Sequence, residues 1–366
     1  MNKTSHIFQV GPYTNYSITI DTHHNSNLKF LFVEDPIFGC ITIKNRGVFT
    51  IDYYNGNLEA LTIECEFTSP TYKIDMVPKN IKIKQIYMNK NLKITFFQDI
   101  IKMYDLEEYH DPYAPSLFYG LFNNDDISIL EKNKSMKLIV WVGGDINTHI
   151  KRIPSLAAML RKNLDRILKV PKIRHVSISS FIRTSLTNLN LSFKMVPFMG
   201  IVFDKYKPIP KGPCIYLYTS LGAEDYYGQD LYVKLMEQYK NIKFIVGCCQ
   251  LSYQSIIKNK MPAKYNIKYY PKEELVNNIY PQCFVALRLT DHDGLSGTVQ
   301  ELGLMGIKSI HNGCSPSALN YKNFDDICQH VETEMKTIGH IDVVLAQKVK
   351  KYLTIDESFL TTDFHK

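Results

Sequence analysis

The chain has 366 residues, 45% of them apolar, and carries 43 Lys and Arg against 36 Asp and Glu, a formal charge of +7. That length exceeds what one compact core usually holds, so two or three domains are expected; the charge favours anionic partners, but no basic tail or arginine-rich tract marks a nucleic-acid binder. The eight cysteines lack C-x-x-C spacing and there is neither a leader segment nor a long apolar run, so the expectation is a reduced, cytoplasmic protein without disulfide frame or zinc site.

Residues 1–95 read as a β-rich region. YSITID (16–21), KFLFVE (29–34), CITIKN (40–45), VFTIDYY (48–54), ALTIECEF (60–67) and IKIKQIYM (81–88) are short, mostly alternating segments separated by Asn, Gly, Pro and Ser. The Tyr54-Asn-Gly-Asn turn predicts a hairpin joining the strands on either side of it. Aromatic residues here could line a sugar-binding face, although in strands they more often pack a core.

From residue 96 to 207 strands and helices alternate, which predicts a compact α/β domain. Strands are expected at 117–121, 137–142, 175–179 and 193–198, with a short helix at 126–131. The 137–142 strand runs into Gly143-Gly144-Asp145, and strand ends of open α/β sheets border the ligand crevice, so Asp145 is a candidate to face an acceptor. A turn and helix cap is the equal alternative for that loop. Ser155 to Lys169 has an apolar face of Leu156, Met159, Leu160, Leu164, Ile167 and Leu168 and a basic face. Together with the rest of 151–174 it could rest on an anionic membrane surface, but a solvated face is the better expectation.

Three prolines between Lys205 and Pro213 mark a linker, and residues 208–345 read as a second α/β domain. Its strands are expected at 215–218, 244–246, 284–289 and 308–311, and its helices at 230–239, 296–305 and 324–337. A helix over 341–353 and a tail after Thr354 that straps back to the first domain end the chain, 346–366 being that helix end and tail.

The stretch Cys283 to Gly313, CFVALRLTDHDGLSGTVQELGLMGIKSIHNG, organises the second domain. Gly294 and Gly297 lie where loop becomes helix, and the first-turn amides of Ser296, Gly297 and Thr298 have no intrahelical partner, so that terminus attracts phosphate. Glu301 falls about one turn further along the same face, where a carboxylate accepts hydrogen bonds from sugar hydroxyls. The combination suits a nucleotide-sugar.

Asp293, seven intervening residues and Glu301 resemble the E-x7-E pattern of the large retaining family of GT-B glycosyltransferases, with Asp at the first position. The segment Tyr270-Pro-Lys-Glu-Glu-Leu-Val is also similar to the family's approach to this motif. The resemblance implies two Rossmann-like domains facing a cleft. It assigns the donor diphosphate to Ser296, Gly297 and Thr298, the donor ribose to Glu301, and the transferred sugar to Asp293 with Gly294 and His292 beside it. The family commonly places an Arg and a Lys after the first strand of the donor domain, and TSLGAEDYYG has neither. Arg288 is the nearest substitute, though it could instead pair with an acid. Asp291-His292-Asp293 offers a rival reading as a D-x-D metal site.

The expected fold class is therefore α/β, GT-B, preceded by the β-rich region. The expected function is hexosyl transfer from a nucleotide-diphosphate sugar to a glycan or lipid-linked acceptor, retaining, with no metal and no further cofactor. A sugar-nucleotide epimerase or hydrolase, or a catalytically silent glycan-binding protein, remains the alternative.

Overall fold

The computed structural model describes residues 4–10, 14–22, 28–32, 40–43, 47–55, 61–67, 72–79, 82–89, 97–146, 154–219, 225–248, 267–290 and 293–361. Seven N-terminal strands, β1 (Thr4–Val10), β2 (Thr14–Thr22), β3 (Leu28–Phe32), β4 (Cys40–Ile43), β5 (Gly47–Asn55), β6 (Leu61–Phe67) and β7 (Tyr72–Lys79), form two antiparallel sheets. Their orders are β1-β6-β3-β4 and β5-β2-β7. The β-rich region is thus present, but the hairpin expected at Tyr54-Asn-Gly-Asn is not. β5 pairs with β2 and β6 with β1 and β3, so the chain changes sheet between 55 and 61.

The segment 81–88 also departs from expectation. β8 (Gln85–Met88) joins no antiparallel sheet; it pairs in parallel with β9 (Glu107–Glu108) and β10 (Ser116–Tyr119). With β11 (Lys137–Trp141), β12 (Ile173–Ser177) and β13 (Phe193–Met195) it makes a six-stranded parallel sheet of order β13-β12-β11-β10-β8-β9. The helices α1 (Phe97–Tyr104), α2 (Asn124–Lys132), α3 (Pro154–Ile167) and α4 (Ser180–Asn188) belong to this unit. Its central strands β10 and β11 are buried along their length, as the middle of a parallel sheet covered on both faces requires. The start of α2 is fixed by a capping box: the Asn123 side chain accepts from the Asp126 amide, and Asp126 accepts in return from the Asn123 amide. On α3, Leu164 and Ile167 enter the core, and Arg166 pairs with Glu131 of α2 at 2.8 Å. That cation of the predicted basic face therefore stabilises a helix pair. Among the described residues no helix is long and apolar enough to cross a membrane.

The second parallel sheet has the order β16-β15-β14-β17-β18-β19. It is built from β14 (Cys214–Thr219), β15 (Phe244–Cys248), β16 (Ile267–Tyr269), β17 (Cys283–Leu287), β18 (Lys308–Ile310) and β19 (Ala318–Leu319). Numbered within the domain this is 3-2-1-4-5-6, the Rossmann order, whose switch point lies between β14 and β17. Helices α5 (Gln229–Gln238), α6 (Gly297–Leu304), α7 (Phe324–Met335) and α8 (Val343–Leu353) accompany it. The fold class is α/β with two Rossmann-like units after a β-rich region. Among the described residues Cys214, Cys283, Cys314 and Cys328 are free thiols.

The proline-rich connection is pinned to the second unit. Ile209 donates its amide to the Met305 carbonyl at 3.2 Å. The buried Lys211 ammonium donates to Glu334 and Thr337 at 2.9 Å each, while Lys308 holds the other Glu334 oxygen at 2.8 Å. The C-terminal strap also forms: the Ile83 amide donates to Leu360 at 2.8 Å, and Phe359 packs on Tyr104 and Phe198 in the first unit's core.

Candidate functional site

The carboxyl ends of the two sheets meet. A β-carbon on Gly294 would lie 2.5 Å from the Val142 carbonyl oxygen, and one on Gly143 would lie 3.5 Å from the Gly294 amide nitrogen. Across the same seam the Ser179 hydroxyl, at the cap of α4, donates to the Asp293 carbonyl at 3.3 Å. Glycine at 294 is required there because the turn after β11 leaves no room for a side chain.

At the switch point, Arg288 directly follows β17, and its guanidinium meets Asp293, Tyr218 and Tyr227. Its Nε donates to Asp293 Oδ2 at 2.5 Å, and its carbon lies 4.1 Å from the Tyr218 ring at the end of β14 and 5.1 Å from the Tyr227 ring. Burial works against the charge, but Asp293 and the two tyrosines outweigh it and hold the guanidinium well above its ordinary range. Of the two roles open to Arg288, the pairing with an acid is the one the structure displays. Asp291 and His292, and with them the rival metal reading and one proposed donor contact, lie outside the described residues, as does the loop 220–224 after β14.

Beyond the seam the Ser296 hydroxyl caps α6 by accepting from the Val299 amide at 3.4 Å. Glu301 sits one turn on. It is 5% exposed, and its Oε1 lies 3.3 Å from where a β-carbon on Gly297 would be, directly under the start of the helix. Lys272 donates to Oε1, and Tyr280 donates to Oε2 at 3.2 Å. Tyr280 in turn meets the Thr298 side chain. Burial raises the Glu301 carboxyl above its ordinary range, with Lys272 and Tyr280 opposing the shift. Glu301 and Lys272 border a cavity of about 530 Å³ between the two units, walled on the other side by Asp99 of α1 and by Gly200, Lys205 and Tyr206 of the connection. The structure thus brings Ser296, Gly297, Thr298 and Glu301 together, and it adds Lys272 and Tyr280. Lys272 stood in the segment resembling the family's approach to the motif, yet no spacing rule joins it to a glutamate 29 positions later.

Asp145 is placed differently from an open acceptor-facing group. It is 3% exposed, and its oxygens accept from the backbone amides of Gly143 at 3.0 Å, Val142 at 3.1 Å and Leu121 at 3.4 Å. The carboxylate caps the turn after β11, the alternative read for that loop. Burial pushes it up to about 7 despite those amides. A group raised in the folded state adds stability that is complete below its ordinary value and is lost as pH rises toward the raised one. Asp145→Asn turns one acceptor into a donor facing an amide, a change expected to cost about 1–3 kcal/mol at low pH. The gap between wild type and variant should shrink from pH 4 to about 7. Denaturant unfolding across that range measures it, and a gap that widens with pH would show that the fold holds the anion.

No family model and no curated protein matches this sequence. Among solved structures it is similar to a sucrose-phosphate synthase from Thermosynechococcus elongatus, at 10% identity over 70% of this chain and 71% of that one, with a TM-score of 0.48. A glycosyltransferase from Rickettsia africae shows 13% identity over 74% of this chain and 80% of its own, with a TM-score of 0.47. A UDP-N-acetylglucosamine 2-epimerase from Rickettsia bellii shows 14% identity over 72% and 77%, with a TM-score of 0.38. Likeness at that level leaves the chemistry to this chain's own residues.

Proposed function

We propose that the protein is a glycosyltransferase that takes a sugar from a nucleotide-diphosphate donor. The observation that carries this reading is Glu301, a buried carboxylate one turn inside the helix whose free amides begin at the Ser296 cap, bordering a cavity between the two units. A carboxylate in that place accepts from vicinal ribose hydroxyls, and the helix terminus next to it holds a diphosphate. The spacing Asp293 to Glu301 and its resemblance to the retaining GT-B pattern support the same assignment, as does Lys272, a part-exposed cation at the cavity wall whose flexible stem allows it to turn from Glu301 to phosphate.

In the transfer step an acceptor hydroxyl oxygen bonds to the sugar's anomeric carbon as the bond from that carbon to the diphosphate oxygen breaks, and the hydroxyl proton passes to the departing diphosphate oxygen. The charge that grows on the leaving diphosphate is met by the α6 amides, already in position before the reaction, and by Lys272 once it has turned from Glu301. Transfer of a hexose with retention of configuration rests on the motif resemblance. A glycan or lipid-linked acceptor fits the same reading.

A thermal-shift panel of UDP, ADP and GDP with their sugar conjugates tests it. One nucleotide series should raise the melting temperature, by an amount equivalent to about 2.7 kcal/mol at a hundredfold excess over its Kd. EDTA should leave that response and donor turnover unchanged, since helix amides and a lysine supply the positive potential. Indifference to every nucleotide would sink the proposal, and activity restored by manganese after chelation would shift the chemistry to Asp291 and Asp293.

A further inference from the structure

Exposed apolar surface on the described residues gathers at one place. Of nine large apolar side chains left exposed there, Ile338, Ile341, Val343 and Val344 fall within seven positions, each between 39% and 61% exposed, whereas the other five lie apart from one another in the sequence. The seven positions form the turn from α7 into α8. Fixed backbone displays them: Gly339 donates its amide to the Lys211 carbonyl at 2.8 Å, and Lys211 donates its own to the His340 carbonyl at 3.1 Å. Asp342 caps α8 by accepting from the Leu345 amide at 2.9 Å, and its carbonyl oxygen would lie 2.9 Å from a β-carbon on Gly306. Lys211 and Gly306 precede β14 and β18, so the turn lies at the amino ends of the second sheet, away from the carboxyl ends at the seam. An apolar patch of this kind, rimmed by polar residues, marks a docking face.

The rim is basic. Lys348 and Lys351 stand four and seven positions beyond Val344, on the same face of α8, and Lys336 closes α7 two positions before Ile338. All three are exposed, and none pairs with an acid among the described residues. Val343 continues the patch into a cleft of about 520 Å³, floored by Phe203, Pro208, Leu304 and Ala346, with Lys207 and Lys350 on its edge. The Lys350 ammonium stands 5.4 Å from the centre of the Phe203 ring. Of the acids nearby, Glu334 is buried between Lys211 and Lys308, Asp342 caps α8, and Asp204 is exposed at the cleft.

Exposed aliphatics beside unpaired lysines identify the occupant by charge complementarity. A second copy of the chain fits poorly: a two-fold contact sets the patch against itself, lysine against lysine. Four apolar side chains also fall far short of the roughly 20 residues a side that a stable interface buries. Anionic lipid answers both parts, with phosphate for the lysines and acyl chain for the aliphatics. We propose that the turn between α7 and α8 docks on a membrane surface carrying anionic lipid, with Ile338, Ile341, Val343 and Val344 entering the acyl boundary and Lys336, Lys348 and Lys351 at headgroup phosphates. Such docking is independent of the transferase reading, and it uses a face other than the basic side of α3, where Arg166 pairs with Glu131.

Co-sedimentation of the full chain with lipid vesicles tests this. Wild-type protein should bind vesicles of equal parts phosphatidylcholine and phosphatidylglycerol at least about tenfold more tightly than vesicles of phosphatidylcholine alone. Ile341→Ser with Val344→Ser should weaken binding to the mixed vesicles by about tenfold or more, because it takes apolar groups out of the acyl boundary. Lys348→Gln with Lys351→Gln should weaken it about 25-fold, or about fivefold for each charge near an anionic leaflet. Lys162→Gln with Lys169→Gln removes the same charge from α3, beyond the reach of a membrane held at the turn, and should change binding by less than about twofold. All six positions are exposed, and melting curves check the folds. Should the apolar pair fail to fold, the two lysine pairs decide.

Absence of binding to the mixed vesicles overturns the proposal. So does binding that the folded apolar pair leaves unchanged, or that the α3 pair weakens as much as the α8 pair, the mark of net charge alone. A wild-type dimer in sedimentation velocity that Ile341→Ser with Val344→Ser converts to monomer also overturns it, and makes the patch an interface between copies.

Discussion

Asp293→Ala should lower the unfolding free energy by about 3–5 kcal/mol, the usual cost of stranding one half of a buried ion pair. The partner left behind is Arg288, whose side chain is 12% exposed against 17% for Asp293, so water can replace little of what is lost. Tyr218 and Tyr227 still face the guanidinium in the variant, but a ring quadrupole offers about 2 kcal/mol, less than a carboxylate at contact. The pair Arg288→Met with Asp293→Ala removes both charges and should be far milder than either Asp293→Ala or Arg288→Met alone. Urea unfolding of the four proteins gives the coupling energy. A loss under about 1 kcal/mol for Asp293→Ala, the scale of exposed pairs, would show the pair to be screened and the acid free to serve a ligand. The outcome matters for function, since Asp293 stands at the seam where the two sheets meet and opens the loop that leads into α6.

The parts of this architecture that were legible in the sequence are those with local causes. The run from Cys283 to Gly313 reads as strand, loop, helix and strand because burial, glycine and cap signals all act within a few residues, and the structure places β17, α6 and β18 within that stretch. Pairings were not legible in the same way. The Asn-Gly turn after Tyr54 is a sound hairpin signal, yet β5 and β6 enter different sheets, because strand partnership is decided by distant segments that pattern alone does not name. β8 reads as one more alternating strand and becomes instead the first strand of a parallel sheet.

The site divides along the same line. Ser296 as cap and Glu301 one turn later follow from helical geometry. The ring of partners does not: Lys272 reaches Glu301 across 29 positions, and Tyr227 reaches Arg288 across 61. Asp145 shows a third limit. Its place after a strand is visible in the sequence, but whether a carboxylate points into the crevice or back onto its own turn depends on three amides, one of them contributed by Leu121 from another strand end. Crevice position and side-chain direction are separate facts, and only the first has a sequence signature.

Glu301→Gln should separate stability from binding. The carboxyl is buried and burial raises it above its ordinary range, so the fold holds a charge it would accommodate more easily as a neutral amide. Lys272 loses its partner in the variant but is 39% exposed and can turn to water, and the Tyr280 hydroxyl can still donate to the amide oxygen. The melting temperature is therefore expected to stay level or rise. Nucleotide affinity should move the other way, falling by about 1–3 kcal/mol, or roughly fivefold to 150-fold, because a Gln accepts at one atom where the carboxylate accepts at two and has lost its charge. Lys272→Ala makes the control: it also breaks the ion pair but leaves a buried carboxylate with only Tyr280 beside it, so it should destabilise where Glu301→Gln does not. Calorimetric titration with the responding nucleotide, together with melts of both variants, measures the two effects side by side. A Glu301→Gln protein that melts several degrees lower and binds nucleotide as tightly as wild type would make Glu301 a structural partner of Lys272, and the donor would have to be sought at another wall of the cavity.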